Sequence, residues 1–224
     1  VCHTLPTAFT DQSTNTSGTV IAWNWDFGDG IGFSNLQNDT YTYLSPGSYT
    51  VTLTVTDDNG CSDTWDSVIV VRPNPTALFT VDTVCVGFNT QFTDLSTIVS
   101  PLGGVITDWD WSFGDPPTNG TSTVTSPSYP YGNFGTFNVQ LIITDEYGCI
   151  DSITNPIDVN PGPIAAFTHD TVCEGIATTF TDLSSTVPPL GGPIDTYLWA
   201  FGDLAAGTSP LPSPTYTYAN AGIY

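Results

Sequence analysis

The chain has 224 residues, with 22 Asp and Glu against a single basic residue, Arg72, and a formal charge of −21. Such a polyanion excludes recruitment to nucleic acid or to an anionic membrane surface by charge, and no run of 18 apolar residues exists for direct membrane insertion. The acids are scattered among Thr, Ser, Gly and aromatic residues, a composition that fits a folded, secreted or cell-surface chain better than an acidic disordered tail.

In chain order, the first strongly patterned element is "WNWDFGDG", residues 23–30, where Trp23, Trp25 and Phe27 share one parity and the strand ends in Gly28-Asp29. It is followed by "YTVTLTVTD", in which Tyr49, Val51, Leu53 and Val55 alternate with Thr, so bulky apolar groups line one sheet face and hydroxyls the other. A turn with Gly60-Cys61 leads into another strand and then into the linker "RPNP". The segment "PNPTALFTVDTVC" opens a second copy, which repeats the aromatic strand as "WDWSFGDP" (109–116) and the alternating strand from Phe137 through Ile143, with Cys149 after Gly148. After "NPGP" a third copy carries "YLWAFGDL" (197–204) and reaches Tyr224, the counterpart of Tyr49 and Phe137. The repeat is about 88 residues long. Expected domains are 1–72, lacking a first strand; 73–160, complete; and 161–224, lacking the last strands. A window from a longer array is the expectation that accounts for both partial copies.

Pro, Gly, Asn and Asp punctuate short strands throughout, and no segment of ten residues carries a 3.6-residue period. The fold class is therefore all-β, with tandem immunoglobulin-like sandwiches. Asp29, Asp115 and Asp203 each follow a glycine at the same place, which is turn chemistry: Gly permits positive φ and Asp accepts nearby backbone amides. The inward parity of Trp25, Trp111 and Trp199 assigns them to cores, whereas Trp65, with Ile153 as its counterpart, is a candidate for exposure. His3 and His169 occupy non-equivalent places, so no general base recurs and no enzyme activity is expected. Five cysteines fall in two repeat positions, Cys2, Cys85 and Cys173 in one and Cys61 and Cys149 in the other; without CxxC spacing they indicate disulfides in an oxidising compartment.

Trp25-Asp26-Phe27-Gly28-Asp29-Gly30, then "YTY", "PGSYTVTLTVTD" and "NGCSDT", resemble the polycystic-kidney-disease (PKD) domain, in three copies over essentially the whole chain. The second copy departs from it at Ser112 and Pro116, the third at Ala200 and Leu204. The resemblance implies a seven-stranded sandwich used as an extracellular spacer, in tandem in surface proteins and beside catalytic domains of secreted hydrolases. Some relatives bind calcium, and Asp29 of one unit with Asp145, Glu146 or Asp151 of the next would be the ligands at a junction. No other cofactor is expected. Resemblance to bacterial surface arrays makes Ser67, Thr83, Ser152 and Thr171, each after an Asp and before an aliphatic residue, candidates for O-glycosylation.

Counting pairs the cysteines within each repeat, Cys2 with Cys61 and Cys85 with Cys149. In a sandwich of this topology, however, Cys85 lies in a turn between the first two strands and Cys149 in the last hairpin, at opposite ends of the domain. Two Cα atoms must approach to about 4.4–6.8 Å for a disulfide, so a pairing across the junction, Cys2 with Cys149, is favoured, leaving Cys61, Cys85 and Cys173 for units outside this segment. The function expected is a non-catalytic rigid spacer, part of an adhesin stalk or surface filament, whose partners are neighbouring repeats and other copies in a fibre. The alternative is an accessory module of a secreted hydrolase, with carbohydrate binding as one form.

Overall fold

The computed structural model describes residues 1–224 except Thr83, Ser100 and Leu204. Strands β1 (Thr7–Phe9), β2 (Val20–Asp26), β3 (Phe33–Ser34), β4 (Asp39–Tyr41), β5 (Gly47–Asp57) and β6 (Ser62–Val71) belong to the first copy. The middle copy holds β7 (Phe79–Val81), β8 (Val84–Cys85), β9 (Asn89–Asp94), β10 (Ile106–Ser112), β11 (Thr121–Ser122), β12 (Ser128–Pro130), β13 (Gly135–Asp145) and β14 (Ile150–Asn160). The third holds β15 (Phe167–His169), β16 (Ala177–Asp182), β17 (Trp199–Ala200), β18 (Thr208–Ser209) and β19 (Thr215–Thr217). The described residues form no helix, so none is long and apolar enough to cross a membrane. Two compact units emerge: Val1–Val81 with Phe92–Pro127 and Asn138–Asn155, and Asp82–Gln91 with Ser128–Phe137 and Pro156–Tyr224.

In the first unit, β3-β2-β5-β6 form one antiparallel sheet and β1-β4 a second. The period-two pattern dictates which side chains go inward. Trp25 lies opposite Leu53 and Trp23 opposite Val55, and Phe9, Trp25, Phe27, Tyr43, Val51, Leu53 and Val71 make the core. The same logic recurs between β10 and β13, where Trp111 faces Leu141. Phe79, Phe92, Trp111, Phe113, Val139, Leu141 and Ile143 are all buried there. Each core indole also satisfies its N–H on a backbone carbonyl, Trp25 on Leu36 and Trp111 on Val124, both at 3.0 Å, as a buried Trp requires.

Trp65 sits opposite Leu53 in the register of β5 and β6 and therefore projects from the same sheet face. Leu53 is 8% exposed and Trp65 76%. In the middle copy the corresponding face is covered: the segment around Ala77 and Phe79 is buried, and Ala77 N–H donates to Asp151 of β14 at 2.8 Å.

In the second unit, β8 runs parallel to the end of β14, pairing Val84 with Val159 and Cys85 with Asn160. The turn expected at Cys85 thus begins with a two-residue strand. β15-β16-β19 form one sheet of the third copy and β17-β18 a short second one. Phe180 and Phe201 are buried, but Phe167, the counterpart of Phe79, is 57% exposed against 5% for Phe79.

Candidate functional site

The residues that join the first copy to the middle one gather around Arg72. Its N–H donates to Val1 O and its carbonyl accepts from His3 N–H, each at 2.8 Å, which seats Cys2 beside the C-terminal end of β6. Cys61 immediately precedes the other end of that strand. Ten residues of strand span about 33 Å, so the pairing that counting suggests, Cys2 with Cys61, is geometrically barred. Cys2 is instead bonded to Cys149, with Cα atoms 5.4 Å apart. Cys149 is fully buried in the turn between β13 and β14, where Gly148 takes φ +80°. Asp145 Oδ1 accepts the N–H groups of Tyr147 and Cys149 at 2.9 and 2.8 Å, fixing the turn that presents the sulfur.

Arg72 adds a second, non-covalent tie to the same turn. Its guanidinium carbon lies 3.3 Å from the centre of the Tyr147 ring, and Nη1 donates to Leu102 O at 2.9 Å. A stacked, delocalised cation suits this place in a way an ammonium would not. Pro73 and Pro75 of the linker are buried. The connection is therefore packed, cross-linked and short of rotatable backbone.

Cys61, Cys85 and Cys173 are exposed thiols. Among the glycosylation candidates, Ser67, Ser152 and Thr171 are exposed and Thr83 lies outside the described residues. Ser67 stands opposite Val51, on the sheet face that also carries Trp65. His3 Nε2 is 2.8 Å from Leu44 O and His169 Nδ1 2.9 Å from Asp170 O.

The Gly-Asp signature is a turn lock in all three copies. Asp29 Oδ1 accepts N–H from Ile31 and Gly32, and Oδ2 accepts the hydroxyl of Tyr41 at 2.6 Å. Asp203 repeats this with Gly207 N–H and the Tyr216 hydroxyl, again at 2.6 Å, while Asp115 accepts from Gly120 N–H and Thr118. The adjacent glycine is compulsory: at Gly28 φ is +79° and a Cβ would stand 2.2 Å from Thr50 O, and at Gly114 it would stand 2.2 Å from Asn138 O. Burial pushes the Asp29 carboxyl upward, but hydrogen bonds from Tyr41, Gly32 and Ile31 outweigh it and hold the group below the usual carboxylate range. The bond to Asp29 in turn pushes the Tyr41 hydroxyl up to about 12.

The acids named for calcium are each engaged in their own turns or edges. A calcium site gathers six to eight oxygens, and among the described residues no three His, Cys, Asp or Glu converge for a metal. Asp29 locks its own turn, Asp151 Oδ2 accepts Ala77 N–H at 2.8 Å, and Glu146 Oε1 accepts Val105 N–H at 3.2 Å. Asp145 Oδ2 is buried without a hydrogen-bond partner; its first-copy counterpart, Asp57, has Asn15 there at 3.0 Å, and Ile98 stands at that position in the middle copy.

Sequence reasoning missed Arg72 as a structural group and the tyrosines as partners of the signature Asp. Both left signals: the chain's one cation falls in a linker, and "YTY" follows Gly-Asp at a nearly constant distance in the first and third copies.

A family model described as "PKD domain" matches residues 1–72 and 70–161. The pre-pro-metalloprotease PrtV of Vibrio cholerae is 34% identical over 145 residues, covering 64% of this chain and 15% of that protein. Collagenase ColA of Clostridium perfringens is 43% identical over 65 residues, 29% of this chain and 6% of that protein. The crystal structure of the PKD1 domain of the Vibrio cholerae metalloprotease PrtV aligns with 27% identity and a TM-score of 0.34, over 38% of this chain and 96% of that domain. The chain thus spans a small part of the curated relatives it matches. With two matched segments and the Trp-Asp-Phe-Gly-Asp-Gly lock in place, the chain belongs to the PKD-domain family.

Proposed function

We propose that this chain is a non-catalytic spacer of an extracellular protein, in which successive PKD repeats are stapled into a stiff element. The observation that carries this reading is the covalent bond from Cys2 of one copy to Cys149 of the next, reinforced by the Arg72–Tyr147 stack. A bond within a copy would stabilise a domain; a bond between copies restrains bending and transmits tension. Arrays of this kind suit an adhesin stalk or a surface filament. Small-angle scattering on the oxidised chain and on a Cys2→Ser, Cys149→Ser variant tests it. The oxidised chain gives a narrow distance distribution with the cross-section of one sandwich, and the variant a broader one. Indistinguishable broad distributions would sink the spacer reading.

A second reading, an accessory module of a secreted hydrolase, is supported by the relatives named a metalloprotease and a collagenase. The full polypeptide discriminates between them: a catalytic domain alongside these repeats favours the module, and many further repeats favour the stalk.

A further inference from the structure

The sequence contains one Asp-Pro bond, Asp115-Pro116, in the turn after β10. After the signature Asp the first copy has Gly30 and the third Leu204. The middle copy's turn also brings a hydroxyl of its own to the Asp. In the other two copies one carboxylate oxygen takes a tyrosine hydroxyl, from Tyr41 or Tyr216. Here Thr118 Oγ1 lies 2.6 Å from Asp115 Oδ2 and 2.9 Å from the backbone carbonyl oxygen of the same residue. One hydroxyl in reach of both fixes the carboxylate beside its own carbonyl group. Asn119 N–H donates to that carbonyl oxygen at 2.9 Å, and Gly120 N–H holds Oδ1, also at 2.9 Å. Asp115 is buried, whereas Pro116 is exposed.

We propose that Asp115-Pro116 is a self-cleavage site, at which the chain cuts its own backbone once by attack of the Asp115 carboxylate. The turn supplies the parts that acyl transfer needs. A nucleophile is held against its carbonyl, two donors reach the carbonyl oxygen at the distance that stabilises an oxyanion, and the leaving group is the nitrogen of a tertiary amide. One carboxylate oxygen forms a bond to the Asp115 carbonyl carbon. The C–N bond to Pro116 breaks, its electron pair stays on nitrogen, and the nitrogen takes a proton from water. The hydroxide so formed opens the cyclic anhydride left at Asp115, giving a backbone carboxyl and restoring the side chain. The Thr118 proton follows the charge, serving Oδ2 before attack and the carbonyl oxygen as it becomes an oxyanion, which favours the transition state over the ground state. Asp29 and Asp203 have no proline after them and stay intact. The cut falls between β10 and β11, and the Cys2–Cys149 bond still ties residues 1–115 to residues 116–224. Cleavage therefore nicks the repeat without releasing its pieces.

The test incubates the whole 224-residue chain in one mildly acid buffer with protease inhibitors and reads masses after reduction. Fragments 1–115 and 116–224 should appear with first-order kinetics, at a rate independent of protein concentration. That rate should exceed cleavage of a synthetic peptide of residues 109–124 by at least about tenfold, because the fold holds the carboxylate in place. Hydroxylamine in the buffer should trap Asp115 as a hydroxamate. Pro116→Gly, which restores the Gly-Asp-Gly of the first copy, should abolish cleavage. Thr118→Val should slow it at least about tenfold, as loss of an oxyanion donor does. An intact mass, cleavage no faster than in the peptide, fragments without the hydroxamate, or a Thr118→Val rate equal to the parent's each overturns the proposal. The peptide comparison decides the matter even where a variant unfolds. None of these results bears on whether Cys2 is bonded to Cys149, so the spacer reading stands or falls separately.

Discussion

The first and third copies carry the same Gly-Asp lock and different cores. In both, an Asp oxygen receives a Tyr hydroxyl at 2.6 Å, and a neighbouring Tyr donates to the aromatic strand, Tyr43 to Phe27 O and Tyr218 to Phe201 O, each at 3.0 Å. Yet Trp25 is 6% exposed, whereas Trp199 remains half-buried. The lock is local: it needs a turn, a glycine and a tyrosine a dozen or so residues on. Core closure is not local, because the long hairpin of β5 and β6 must arrive to cover the indole.

The largest effect that distinguishes the two copies is truncation of the indole. Trp25→Ala and Trp111→Ala each remove a buried ring and should cost about 3–5 kcal/mol, read from denaturant midpoints. Trp199→Ala should cost less than about half of that, because the ring it deletes is still partly in water. Equal losses at Trp25 and Trp199 would show that the third core is closed.

Alanine at the signature glycine sharpens the contrast. Gly28 and Gly202 have nearly the same φ, +79° and +76°, so either substitution carries about 1–2 kcal/mol for a left-handed backbone. At Gly28 the new Cβ also collides with Thr50 O at 2.2 Å, whereas at Gly202 the nearest atom it would meet is Tyr224 C at 3.8 Å. Gly28→Ala should therefore lower the midpoint clearly more than Gly202→Ala.

The smallest effect is the pH response of the lock. Asp29 has its folded pKa lowered, so its contribution is present above the unfolded value near 4 and is lost as pH falls through the folded one. Tyr41 is raised to about 12, so its contribution is complete below about 10 and disappears as pH climbs toward 12. In Asp29→Asn, the Tyr41 absorbance titration should move back down toward 10, and the acid-side loss should shrink. Tyr216, raised first of all by its bond to Asp203, should behave the same way in Asp203→Asn.

The all-β class, the inward parity of the indoles and the turn role of Asp29 were legible from residue types alone, because each follows from a period of two or from glycine's conformational freedom. Trp65 was legible as an exception, through its counterpart Ile153, and it is indeed exposed. The Arg72–Tyr147 stack was not legible, since it joins residues far apart in sequence and depends on how the linker packs. Nor were the local roles of the acids, because sequence places Asp145, Glu146 and Asp151 close together without showing that Asp145 Oδ1, Glu146 Oε1 and Asp151 Oδ2 each accept a backbone amide.

The central claim is that consecutive copies are joined covalently, and peptide mapping without reduction tests it most directly. Digestion with a protease that cuts beside aromatic residues, needed because Arg72 precedes a proline, should release a peptide pair linking Cys2 to Cys149. Cys61, Cys85 and Cys173 should remain open to alkylation in the isolated chain. A Cys2–Cys61 or Cys85–Cys149 pair would contradict the account, because the staple would then lie within a repeat and the junction would be free to bend.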